Sequence, residues 1–106
     1  MSISSENYSP ERFMQILMGT NKPLSIDDKV LKAIKHAIST LSPNESLVLK
    51  MRYGFYANCP HTLREIGINM GLTQERIRQI EAKAFRKLRQ PARIRLIQTD
   101  LQINSF

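Results

Sequence analysis

Gln74, Glu75, Arg78 and Gln79 are the residues whose types and spacing suit a defined chemistry. In the grooves of a duplex a glutamine amide pairs with adenine, a carboxylate accepts from cytosine N4, and a guanidinium bonds guanine. Lys83, Arg86, Lys87 and Arg89 follow, suited to phosphates or to an acidic protein surface. Residue type alone leaves a second reading open for Gln74 and Glu75, as first-turn residues favoured by the helix dipole.

The charge distribution sharpens this. Residues 76–95 hold eight of the sixteen Lys and Arg but only one of the nine acids, so the whole net charge of +7 resides there. Positive charge that dense on one segment of a near-neutral body repels itself unless a polyanion or an acidic surface neutralises it.

These side chains need a helix held at a fixed rotation. Thr73 is placed to cap a helix over 74–89, and Ile77, Ile80, Ala84 and Leu88 repeat along one face, leaving Gln74, Glu75, Arg78 and Gln79 outward. Thr62-Leu63-Arg64-Glu65 is a capping box that opens a preceding helix, and Gly71 closes it in a left-handed turn. Two helices joined by about three residues, the first ending in glycine, match a helix-turn-helix.

Further elements precede this pair. Ser9-Pro10-Glu11 starts a short helix to about Met18, ended by Gly19, with an apolar stripe of Phe13, Ile16 and Leu17. Residues 19–24 read as a linker. Ser25-Ile26-Asp27-Asp28 opens a helix to about Thr40, buried through Ile26, Val30, Leu31, Ile34, Ala37, Ile38 and Leu41. Ser42-Pro43-Asn44-Glu45 caps another, carrying Leu47, Val48, Met51 and Tyr53 and ended by Gly54. Tyr53, Phe55 and Tyr56 are expected in core and loop packing. Pro91 interrupts the long helix, and a weaker stripe of Ile94, Ile97 and Leu101 follows. Residues 1–8 are expected to fray.

With 106 residues, 42% hydrophobic, the chain suits one small core. No segment reads as a membrane span or cleaved signal, and a lone Cys59 makes no intramolecular disulfide, so a cytoplasmic chain is expected. His36, His61 and Cys59 form no metal-ligand pattern. No cofactor motif, phosphate loop or nucleophile–base spacing is found, so the expectation is no metal, no cofactor and no enzyme.

The segment Leu41–Arg93 closely resembles region 4, the C-terminal DNA-binding domain of primary-type bacterial sigma factors of the sigma-70 family. The resemblance rests on Val48-Leu49-Lys50-Met51-Arg52-Tyr53-Gly54, Thr62-Leu63-Arg64-Glu65-Ile66-Gly67, Glu75-Arg76-Ile77-Arg78-Gln79-Ile80-Glu81-Ala82-Lys83-Ala84, and Arg86-Lys87-Leu88-Arg89 before Pro91. It implies an all-α fold, a small helical bundle with a winged-helix-like helix-turn-helix. It also implies recognition of the −35 promoter element in double-stranded DNA by a module docked on the β-flap of RNA polymerase.

By motif position, Gln74, Glu75 and Gln79 would read bases, with Arg78 beside them. Arg52, Thr62, Leu63 through its N–H, and Arg76 would meet the DNA backbone, joined by Lys83 and Lys87. Arg78, Lys83, Arg86 and Arg89 match a face that activators contact. Leu47, Val48 and Met51 would meet the flap. Three positions depart from the family pattern: Gln74 and Asn44 each stand where arginine is usual, and Arg64 where an acid is usual.

The expected organisation is an N-terminal extension with a short helix (1–24), the region 4-like domain (25–93) and a partly helical tail (94–106). Residues 1–40 hold nothing like the separate sigma domain that opens the −10 element. That leaves an excised domain with a foreign leader or a natural stand-alone protein; the opening Met and the capped helix favour the second. Expected partners are promoter DNA and polymerase, with a separate sigma-like subunit, an activator or an anti-sigma factor as further candidates. Two other readings stay open: a polymerase- or regulator-binding protein without promoter readout, and a dimeric helix-turn-helix repressor.

Overall fold

The computed structural model describes residues 8–55 and 59–103, with the side chains of 100–103 left out of account. Tyr56, Leu101 as a core residue, and the expected fraying of residues 1–7 thus lie outside the described residues. Six helices follow in order: α1 Pro10–Met18, α2 Asp28–Ser39, α3 Pro43–Arg52, α4 Leu63–Met70, α5 Gln74–Leu88 and α6 Pro91–Ile103. Among the described residues there is no strand, and no helix is long and apolar enough to cross a membrane. The fold is all-α with a helix-turn-helix, as expected.

Local chemistry accounts for the boundaries. The Ser9 and Thr73 side chains accept from the N–H groups of Arg12 and Arg76. Ser42 and Thr62 each form a reciprocal capping box, with Glu45 and Glu65. α2 starts later than the sequence suggests. Asp27, not Ser25, is its N-cap, accepting from Val30 N–H, so Ile26 lies ahead of the helix and packs on the core from there. Pro91 does more than interrupt α5: it opens α6, where its missing N–H costs nothing.

The core has two parts. One joins Val48 and Met51 of α3, Ile66 of α4, and Ile77 and Ile80 of α5. The other gathers Phe13 and Leu17 of α1, Ile34 and Ile38 of α2, Leu49 of α3, Ala84, Phe85 and Leu88 of α5, and Ile97 of α6. At its centre Phe13 is fully buried, with its ring centroid 5.3 to 5.6 Å from those of Phe85, Phe55 and Tyr53. α1 and α6 therefore share the core of the helices that carry the sequence motifs. Residues 19–24 are tied down as well, because Leu24 N–H donates to Glu11 and the Gln15 amide to Lys22 C=O, at 2.8 and 3.0 Å.

Two close contacts position α5. At the turn, Gly71 adopts φ +71°, and Leu72 N–H returns to Gly67 C=O at 2.9 Å. A Cβ on Gly67 would lie 2.6 Å from Leu72 O, so only glycine lets the turn come this close. Between α3 and α5, Lys87 Nζ donates to the buried Glu45 carboxylate at 2.9 Å. Burial pushes that carboxyl up, but Lys87 and Ser42 outweigh it and hold it below its ordinary value of 4.5.

The two glycines should respond differently. Gly71→Asn, which tolerates the left-handed region, is expected to retain nearly full stability. Gly67→Ala should lose about 1–3 kcal/mol by overpacking against a backbone atom, and Gly67→Asn more. Urea unfolding compares them, and equal losses at both positions would contradict the close-approach account. For Glu45, a depressed folded pKa means a contribution fully present above pH 4.5 and lost as pH falls through the folded value. Lys87→Met should therefore cost about 1.5–3 kcal/mol at neutral pH and flatten the loss of stability below pH 4.5.

Candidate nucleic-acid interface

The rotation of α5 follows from its buried stripe. Ile77, Ala84 and Leu88 are fully enclosed and Ile80 nearly so, which turns Gln74, Glu75, Arg76, Arg78 and Gln79 to solvent. The structure thus brings all the expected base-reading residues together on the first two turns of one helix. Glu75, Arg78 and Gln79 also bond one another, joined by Arg76. Arg78 Nε and Nη2 grip the two Glu75 oxygens at 2.9 and 2.6 Å. Gln79 Nε2 donates to Glu75 at 3.5 Å, and Arg76 Nη1 to Gln79 at 3.5 Å. The Arg78 bonds hold the Glu75 carboxyl below the usual carboxylate range, and Glu75 in turn raises the Arg78 guanidinium. Glu75 is therefore an ionised, acceptor-only group at neutral pH, as a contact to cytosine N4 requires.

α4 adds a second approach. Thr62 is committed as a cap: its hydroxyl accepts from Glu65 N–H at 3.0 Å, and its own N–H donates to Glu65 at 2.8 Å. Leu63 N–H, in the first turn, has no carbonyl four residues back to bond, which leaves it available to a phosphate. The Thr62 bonds also keep the Glu65 carboxyl below its ordinary value.

Not every expected cation reaches the surface. Arg52 is only 8% exposed. Its guanidinium lies 3.6 Å over the Tyr8 ring, donates to His61 C=O at 3.3 Å, and faces Glu81 at 3.8 Å. It is an internal strut here rather than a group open to a DNA backbone, because Tyr8, two residues ahead of α1, covers it. Lys87 is likewise drawn inward by Glu45. Arg89 is exposed but donates to Ile16 C=O at 2.8 Å, clamping the end of α1. Arg76, Lys83 and Arg86 remain outward on α5.

The flap residues divide the same way. Val48 is fully buried and Met51 7% exposed, both in the core with Ile66 and Ile77, so neither offers surface to a partner. Leu47 does, in a groove with Lys35, Pro43, Lys50 and Phe55.

Sequence reasoning missed Glu81 and Arg12. Glu81 Oε2 accepts the Tyr53 hydroxyl at 2.5 Å; burial, then this carboxylate, raises the phenol's pKa well above its ordinary value. Arg12 joins Arg78, Arg86 and Arg89 around a groove between α1 and α5. No local signal marks either residue, since both act across the chain through packing. Among the described residues no group of three His, Cys, Asp or Glu is placed to hold a metal ion.

Comparison with known proteins bears directly on this arrangement. The family described as Sigma-70, region 4 matches residues 37–90, which span α3, α4, α5 and the turn between the last two. The chain is also 54% identical over 59 residues to the RNA polymerase sigma factor RpoD of Neisseria gonorrhoeae. That match covers 56% of this chain and 9% of the relative, so the chain corresponds to a small part of that protein. With its matched segment folded as a helix-turn-helix on a shared core, the chain belongs to the sigma-70, region 4 family.

Proposed function

We propose that this chain is a promoter-binding module of bacterial transcription initiation, a binding domain rather than an enzyme, acting in the cytoplasm. In this reading the first turns of α5 enter the major groove of the −35 element. Gln74, Glu75, Arg78 and Gln79 read base edges there, while Leu63 through its N–H, Arg76 and Lys83 hold phosphates and Thr62 caps the helix that presents Leu63. The carrying observation is the buried stripe of Ile77 and Ile80, which leaves these hydrogen-bonding side chains together on one exposed face.

A partner follows from energetics. One recognition module buries roughly 600–1,000 Å² on DNA. If about four to six phosphates are neutralised, log K falls with log salt at a slope of roughly −4 to −5. Binding at cellular salt would then be weak, and tethering to polymerase raises the effective concentration. The Leu47 groove, with Phe55 apolar and Lys35 and Lys50 charged, supports docking on the β-flap.

A second reading is favoured by the groove between α1 and α5. Arg12, Arg78, Arg86 and Arg89 surround it with Glu81 as the acidic member, which suits an acidic protein such as an activator or anti-sigma factor. Contact there and promoter binding are compatible.

Fluorescence anisotropy on a duplex carrying a −35 element and on a scrambled duplex, with and without a β-flap fragment, tests the proposal. Wild type should prefer the promoter duplex, and the flap should strengthen binding. Glu75→Ala and Gln79→Ala should each remove about 1–3 kcal/mol of discrimination while leaving scrambled binding unchanged. Equal affinity of wild type for both duplexes, with flap and without, rejects base reading. Loss of flap binding in Leu47→Asp with duplex binding intact separates the two surfaces.

A further inference from the structure

Arg64 stands outside every role assigned so far, yet the fold places it beside the reading face. It lies in the first turn of α4, is exposed, and shares one shallow cleft with Ile68, Leu72, Thr73 and Gln74. The close packing at Gly67 forms the floor of this cleft and brings the start of α4 near the start of α5. No acid lines it. Three other cations are compensated within the protein, Arg78 by Glu75, Arg52 by Glu81 and Lys87 by Glu45, and Arg64 is not. Among the described residues, no ion pair or hydrogen bond engages the Arg64 side chain.

We infer that Arg64 is a further DNA-anchoring residue, binding a backbone phosphate next to the base that Gln74 faces. An uncompensated guanidinium in a cleft without acids takes an anion, and its planar fork suits phosphate oxygens. The Leu63 N–H belongs to the same turn of α4, so a phosphate there meets a backbone donor and a side-chain cation together. Gln74 itself is uncharged, and Arg64 supplies positive charge at that end of the reading face from across the turn. The inference rests on the DNA-binding reading and adds a residue to it.

A phosphate contact and a base contact differ in signature. Duplex binding is titrated across a salt series of roughly 50 to 200 mM on promoter and scrambled DNA, where counterion release is readily measured. Arg64→Ala should weaken both duplexes by the same several-fold factor and make the salt slope shallower by about 0.9. Arg64→Lys should keep the slope. Gln74→Ala should instead change the ratio between the duplexes and leave the slope intact. As an exposed residue, Arg64→Ala should melt with wild type, which separates loss of contact from loss of fold. An unchanged slope in Arg64→Ala overturns the inference, and so does a loss confined to the promoter duplex, which would make Arg64 a base reader. If wild type binds neither duplex, the DNA-binding reading falls and this inference with it; if wild type binds and Arg64→Ala matches it, only this inference falls.

Discussion

One buried stripe on α5 governs the molecule. Ile77 and Ile80 complete the core shared with α3 and α4, and Ala84, Phe85 and Leu88 complete the one shared with α1, α2 and α6. The same helix is thus the beam of both cores and the bearer of the proposed reading face. Its rotation cannot change without exposing one set of apolar side chains, at a cost of roughly 1.5–3 kcal/mol for each large one. The outward set is therefore fixed by what is inside. The Gly67 contact completes the constraint by setting how α4 meets the start of α5.

That constraint divides the positive charge into working and structural parts. Arg52 and Lys87 lie where α3 packs on α5, and each faces a carboxylate there, Glu81 and Glu45. Arg89 closes on the end of α1. What stays outward near the proposed reading face is a narrower set, Arg76, Arg78, Lys83 and Arg86 on α5 and Arg64 across the turn, with Arg95 exposed on α6. The sequence segment that holds the whole net charge thus overstates the charge available at one surface, because Lys87 is neutralised by Glu45 of α3 and Arg89 is held by a carbonyl of α1.

Most of the helix plan was legible because its signals are local. Caps at Ser9, Ser42, Thr62 and Thr73 act within three residues, and the i, i+3, i+7 pattern of α5 needs no knowledge of what it packs on. Gln74, Glu75, Arg78 and Gln79 could be placed outward for the same reason. What could not be read depends on partners far along the chain. Val48 and Met51 look like a surface patch on α3 alone, but α4 and α5 cover them. Arg52 looks like a free cation until Tyr8 stacks on it. Phe85 is missing from the simple stripe of α5 because its partner, Phe13, lies on a helix outside the family match. Nor does the sequence show why α4 carries Gly67 inside a helix, where glycine costs stability; the turn's close approach makes it a requirement.

The proposed reading face is already organised before anything binds it. Arg76, Gln79, Glu75 and Arg78 form a continuous chain of bonds along the first turns of α5. Long side chains lose rotamer freedom when they dock, at about 0.5–1.5 kcal/mol each, so a face ordered in advance gives up less on binding. The opposing term is the Glu75–Arg78 pair, which must open or share its donors before either residue meets a base. On an exposed surface such a pair is worth little in water, so opening it is cheap. In the groove of a duplex the same carboxylate would be costly without a donor, because phosphates surround it. On the proposed reading, a base that satisfies Glu75 would be favoured less by the bond it adds than by the unpaired charge that every other base leaves behind. Lys83, Arg86 and the cation across the turn carry no such condition and would hold any sequence alike.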